Sequence, residues 1–136
     1  MAIAGKIGKE VRFWHVPDIQ AAAGELPIRN VRVDQFDFDI DAWFGEAGAP
    51  TIKHVVHHMK YVRDADLDEP IILSAEGHVF DGLHRLAKCL LEGVEEIPAR
   101  QFEVNPPPCK VEPFERFKER NPLIAASREK METGKL

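Results

Sequence analysis

Cysteine is scarce in this 136-residue chain: only Cys89 and Cys109 occur, and neither belongs to a Cys-x-x-Cys pair. A disulfide framework and a thiolate zinc site are therefore excluded, and a reducing compartment is expected. No stretch approaches the ~20 apolar residues of a membrane span. Residues 1–10 alternate small residues with Lys6 and Lys9 and lack the apolar core of an export signal. A soluble, cytoplasmic protein with no membrane partner is the expectation. Positive charge is also in deficit: 18 Lys and Arg face 23 Asp and Glu, a formal net charge of −5. The surface as a whole therefore repels a phosphate backbone, and DNA binding on its own is not expected without a concentrated basic patch. What is present, 44% apolar and 30% charged residues, suits one domain that buries roughly two-thirds of its unfolded surface.

Residues 11–16 are β-rich and end at Pro17, which predicts a strand or arm followed by an Ala-rich turn over 20–24. Residues 28–33 alternate apolar and polar with period two and read as a half-buried strand. Five acids with no base between them follow, Asp34, Asp37, Asp39, Asp41 and Glu46, interleaved with Phe36, Phe38, Ile40, Trp43 and Phe44. A solvated loop whose aromatics tuck under the core is the preferred reading, an acidic docking edge the alternative.

From Thr51, Ile52, Val55, Val56, Met59 and Val62 recur at i, i+3, i+4, i+7 and predict a helix with one apolar stripe. Its other face carries Lys53, His54, His57, His58, Lys60 and Tyr61, and it should stop near Arg63. The apolar run 70–74 reads as a strand buried on both faces, and Ala75-Glu76-Gly77 turns it into a second short strand over 78–80. Leu83, Leu86, Ala87 and Leu90 mark another helix, with Gly93 placed to end it. Residues 97–104 read as the closing strand, and Pro106-Pro107-Pro108 stops the pattern.

The informative stretch is Asp81-Gly82-Leu83-His84-Arg85. Asp81 sits where an N-cap belongs, Gly82 lets backbone approach a ligand, and His84 and Arg85 fall in the first helical turn. Two basic side chains oppose the positive end of the helix dipole there, and an anion relieves the mismatch. Free N–H groups, an imidazole and a guanidinium together describe a phosphate site. Taken singly, the same residues have plainer readings: a helix cap, a surface pair between Arg85 and Glu69 or Glu76, a satisfied buried histidine. Their clustering favours the anion.

In this order of elements the chain resembles the ParB/sulfiredoxin-like superfamily, also called ParB-like nuclease domains. The resemblance rests on Glu69-Pro70-Ile71-Ile72-Leu73, the turn Glu76-Gly77, Phe80-Asp81-Gly82-Leu83-His84-Arg85, the helix to Gly93, and Ile97-Pro98-Ala99. It implies a small α+β domain, a mixed sheet with two principal helices, spanning residues 28–104. Residues 1–27 would be an arm or strand, and 105–136 a Pro-rich linker and charged helical tail. It implies nucleotide binding, ATP or CTP with Mg2+, through Gly82, Leu83, His84 and Arg85, with Lys53, His54, His57 and Tyr61 from the preceding helix. Asp81 matches the acid of the Asp-Gly-His-His-Arg motif in free serine kinases of the superfamily, in catalysis or as a magnesium ligand. If phosphoryl transfer or hydrolysis follows, Asp81, His84 and Glu69 are its candidates.

The departures narrow this. Sulfiredoxins carry a cysteine where this chain has Leu83, and chromosome-partitioning ParB proteins have two adjacent arginines and a helix-turn-helix domain for which residues 105–136 leave no room. A non-catalytic DNA- or protein-interaction module in plasmid, phage or chromosome maintenance stands as the alternative, and a nuclease as a third reading that needs a metal cluster. His54 and His58, at i, i+4, have the spacing of a zinc or nickel pair, but the Glu of His-Glu-x-x-His is missing. Cys89 reads as a core residue. In the tail, seven Lys and Arg stand against five Glu, and Phe114 and Phe117 dock either on the core or, as a possible homodimer contact, on another subunit.

Overall fold

The computed structural model describes residues 2–7, 9–39 and 51–120. They form a small α+β domain with two sheets. The expected acidic-loop residues Ile40, Asp41, Trp43, Phe44 and Glu46, and residues 121–136 of the expected helical tail, lie outside the described residues.

The first strand β1 (Ala2–Ile7) pairs antiparallel with β2 (Glu10–Trp14), and helix α1 (Val16–Ala23) follows. The expected Ala-rich turn is thus the end of a helix. Pro17 stands in its first turn, where its fixed φ and missing N–H suit a start rather than a stop, and Asp18 complements the dipole. Strand β3 (Ile28–Arg32), a 3-10 turn over Val33–Gln35, and helix α2 (Ile52–Asp64) come next. Strands β4 (Ile71–Leu73) and β5 (Val79–Asp81) make the expected hairpin, closed by the Ser74 N–H to the His78 carbonyl at 2.8 Å and by Ser74 Oγ accepting from the His78 N–H. Helix α3 (Leu83–Glu92) ends at Gly93, which is left-handed at φ 71° as anticipated, and β6 (Glu96–Gln101) closes the sheet in the order β3-β6-β4-β5. β6 runs parallel to β4 and antiparallel to β3, so the sheet is mixed.

Strand β4 shows why its run is apolar without alternation: all three residues are buried, on opposite faces. Ile71 and Leu73 join Val31, Val33, Leu86, Cys89, Ile97 and Ala99 beneath α3, while Ile72 joins Trp14, Ile19, Ala23, Phe80 and Phe102 beneath α1. Phe36 tucks against the first of these clusters, and Phe38 is exposed.

The prolines do not end the ordered chain. Trp14 Nε1 donates to the Pro106 carbonyl at 2.7 Å, the Cys109 N–H donates to the Phe13 carbonyl at 2.8 Å, and β7 (Lys110–Pro113) then pairs with β2. Helix α4 (Phe114–Arg120) follows, and Phe114 and Phe117 bury against Val11 and Phe13. The arm and the start of the tail thus build one three-stranded sheet, because a break in pairing at three prolines leaves the residues after them free to pair again.

Asn105 fastens this stretch to the β4–β5 turn: its Oδ1 accepts from the Ala75 N–H, and its Nδ2 donates to both Glu76 carboxylate oxygens. Those donations hold the Glu76 carboxyl below the usual range. With the folded value below the unfolded one, the stabilisation is complete above the unfolded value of about 4.3 and is lost as pH falls through the folded one. Removing the amide in Asn105→Ala is expected to flatten the acid limb of stability against pH, measured by urea unfolding between pH 3 and 6; an unchanged limb would assign that acid sensitivity to other carboxyls.

Cys89 is fully buried among the α3 cluster, and burial pushes its thiol up, whereas Cys109 is exposed. Iodoacetamide should therefore modify Cys109 in the native chain and reach Cys89 only on unfolding, as read by mass spectrometry. Rapid native labelling of Cys89 would contradict this packing.

Candidate functional site

The two principal helices meet at their histidines. The apolar stripe of α2 does not face the core: Ile52 is 86% and Met59 61% exposed, while His58, from the nominally polar face, is 6% exposed and is the buried residue of the helix. Periodicity defines a face but not its partner. Here the partner is His84: His58 Nδ1 and His84 Nε2 lie 2.8 Å apart. The stripe's Val55, Val56, Met59 and Val62 instead line, with Leu91 of α3, an open cavity of about 600 Å3.

Around the histidine pair, Tyr61 and His84 have ring centroids 5.2 Å apart, and His57 lies 4.9 Å from Tyr61 and 5.5 Å from His58. The structure thus gathers His57, Tyr61 and His84 from among the expected residues and adds His58, which the site expectation lacked. Its signal in the sequence was its position one turn before Tyr61, on the same face as the residues chosen. Lys53 stands four residues before His57 on that row and is exposed, as is His54, whose N–H is capped by Thr51 Oγ1 at 3.2 Å. His58, by contrast, is buried and its Nδ1 is engaged with His84.

The turn into α3 departs from expectation in three ways. The N-cap is Gly82, not Asp81, which ends β5. Gly82 adopts φ 125°, and a Cβ there would meet Ile71 Cγ2 at 2.4 Å, so the glycine is required by the strand beneath it. The guanidinium of Arg85 does not form an open fork. Its Nη1 donates to the carbonyls of Glu69 at 3.1 Å and Pro70 at 2.6 Å, and its Nη2 pairs with Asp81 Oδ2 at 3.1 Å. Gln20 Nε2, from α1, donates to the same Asp81 oxygen at 3.1 Å. Glu69 thus contributes its carbonyl, while its carboxylate sits on an exposed residue; Leu83 is also exposed.

The outcome is a helix N-terminus with no side-chain cap and no acid in its first turn. Its natural acid, Asp81, is held by Arg85 and Gln20. The N–H of Leu86 reaches back to the Gly82 carbonyl at 3.0 Å as the first intrahelical bond, so the N–H groups of the preceding turn lie at the positive end of the dipole. Among the described residues no three His, Cys, Asp or Glu side chains are placed to hold a metal, and no helix is long and apolar enough to cross a membrane. Comparison of this chain with protein-family models, with curated proteins and with solved structures returned no match.

Proposed function

We propose that this chain binds a nucleotide, ATP or CTP, with its phosphates at the N-terminus of α3. The observation that carries the reading is that this terminus lacks both a side-chain cap and a first-turn acid while an imidazole, His84, is anchored in that turn. Backbone N–H groups of the first turn and His84 supply donors to phosphate oxygens. Tyr61 and His57 offer rings, and Lys53 a charge, on the facing row of α2. Arg85, bonded to two carbonyls and to Asp81, contributes its field and braces the turn rather than forking onto the ligand. A resident metal does not fit the donor set, since Asp81 Oδ2 is already taken by Arg85 and Gln20; Mg2+ arrives as the nucleotide's own chelate. The resemblance to ParB/sulfiredoxin-like domains points the same way. With Asp81 engaged by Arg85 and Gln20 and Glu69 exposed, the reading is of binding alone.

The test is calorimetric titration of Mg-ATP, Mg-CTP, Mg-GTP and ADP into the full chain and into His84→Gln. Saturable binding, weakened at least about tenfold in the variant, corresponds to a loss of ~1.4 kcal/mol and supports the site. Absence of binding by every nucleotide at millimolar concentration overturns it, and salt-sensitive retention of DNA in its place would move the function to a nucleic-acid module.

A further inference from the structure

We propose that His58 and His84 act as one proton-sharing unit, in which His58 is a positioning residue that sets the hydrogen-bonding state of His84 and makes anion binding take up a proton. This deepens the nucleotide reading and rests on it.

The geometry of the pair is specific. The ring planes are 17° apart, the centroids 5.1 Å, and the facing nitrogens 2.8 Å. For two imidazoles whose centres are that far apart, nitrogens can come so close only if both lie on the line joining the centres. The rings therefore meet edge to edge in nearly one plane, an in-line N–H···N hydrogen bond rather than a face-to-face stack.

Hydrogen counting then fixes what the unit can do. The bond needs one hydrogen between the two nitrogens. With both rings neutral, either His58 Nδ1 donates, and His84 carries its own hydrogen on Nδ1, or His84 Nε2 donates, and His84 Nδ1 is left as an acceptor. The second state repels a phosphate oxygen. Adding one proton to the pair keeps the bond and gives His84 Nδ1 a hydrogen whichever ring donates. Adding two places hydrogens on both facing nitrogens and breaks it. A phosphate at the first turn of α3 therefore excludes the second neutral state and the doubly charged one, and of the two that remain its negative charge favours the singly charged, intact pair.

The charged groups packed around the pair are mostly cations. On α2, His57 touches His58, and Tyr61 touches His84. Lys60, Arg63, Lys88 and Glu92 line the same cavity as His58, three cations against one acid. Next to His84, Arg85 is paired with Asp81 of β5.

The experiment is calorimetry of Mg-ATP binding at one pH between 7.5 and 8, where the Mg-bound nucleotide does not itself titrate. It is run in HEPES and in Tris, whose ionisation enthalpies differ, with sulfate as a second, non-titrating anion. The native chain is expected to take up about one proton per ligand, with affinity falling about tenfold per pH unit toward pH 8.5 by linkage. In His58→Asn, whose amide hydrogen-bonds in place of Nδ1 but cannot share the proton, uptake should vanish while binding persists at reduced affinity. Binding without uptake in the native chain, or equal uptake in the variant, overturns this inference and leaves the nucleotide site standing. Absence of any binding overturns both. Should His58→Asn fail to fold, imidazole 15N spectra of the native chain decide. The two rings changing protonation together on adding Mg-ATP supports the unit, and independent changes overturn it.

Discussion

Gly82→Ala is expected to destabilise the chain by about 2–5 kcal/mol, the sum of a strained positive φ and an overpacked core contact. The backbone at Gly82 sits at φ 125°, and the added methyl would lie 2.4 Å from Cγ2 and 2.8 Å from Cβ of Ile71. Ile71 is fully buried in the middle of the sheet, between β6 and β5, so it cannot retreat without moving β4. Gly93→Ala is the internal control: its φ is 71°, but a Cβ there meets nothing within 4 Å. It carries the backbone cost alone, about 1–2 kcal/mol. Thermal unfolding of the two variants separates the contributions, since each kcal/mol moves the midpoint of a domain this size by about 3–5 °C. A drop for Gly82→Ala no larger than that for Gly93→Ala would mean that Ile71 does not hold the turn. The functional consequence is that glycine here secures the angle at which α3 leaves β5, and with it where His84 stands.

Local chemistry was legible wherever one residue type admits one conformation. Gly93 ended α3 in the left-handed region, Thr51 capped α2, and the unbroken Ile71-Ile72-Leu73 run became the strand buried on both faces, inside the mixed sheet and α+β fold expected of it. Decisions between two partners were not legible. The stripe of α2 has the period of a core face, yet the hydrogen bond between His58 and His84, made across 26 residues, belongs to the opposite face. Pro17 carries the same φ in a strand end as in a helix start, so its presence does not distinguish α1 from a turn. Asp81 has the composition of an N-cap but lies one residue early, because Gly82 takes the turn and leaves the carboxylate to Arg85 and Gln20. At the site, the sequence pointed to the turn and the helix that the structure brings together at His58 and His84. It did not show that Arg85 is occupied by carbonyls 15 and 16 residues away, because nothing in a spacing pattern reports a side chain folding back onto distant backbone.

That occupation leads to the second large effect. Arg85→Met should cost about 3 kcal/mol, because hydrogen bonds to charged groups contribute ~1.5–3 kcal/mol and leave unsatisfied partners when one side is removed. The side chain is only 13% exposed, and its loss strands the carbonyls of Glu69 and Pro70 together with part of the Asp81 carboxylate, itself 22% exposed. Arg85→Lys keeps the charge, yet one ammonium on a flexible stem cannot span two carbonyls and a carboxylate as the planar fork does, so it should recover less than half of the loss. A double-mutant cycle with Asp81→Asn isolates the ion pair, with a coupling of about 1–2 kcal/mol expected by urea unfolding. These variants also separate two roles for the arginine. As a brace, Arg85 makes Arg85→Met lose nucleotide affinity only in step with stability, and affinity returns at low temperature, where the variant is fully folded. An Arg85→Met chain that is as stable as the native one yet no longer binds Mg-ATP would show instead that the guanidinium leaves Glu69 and Pro70 to grip the phosphates, and that the turn opens when ligand arrives.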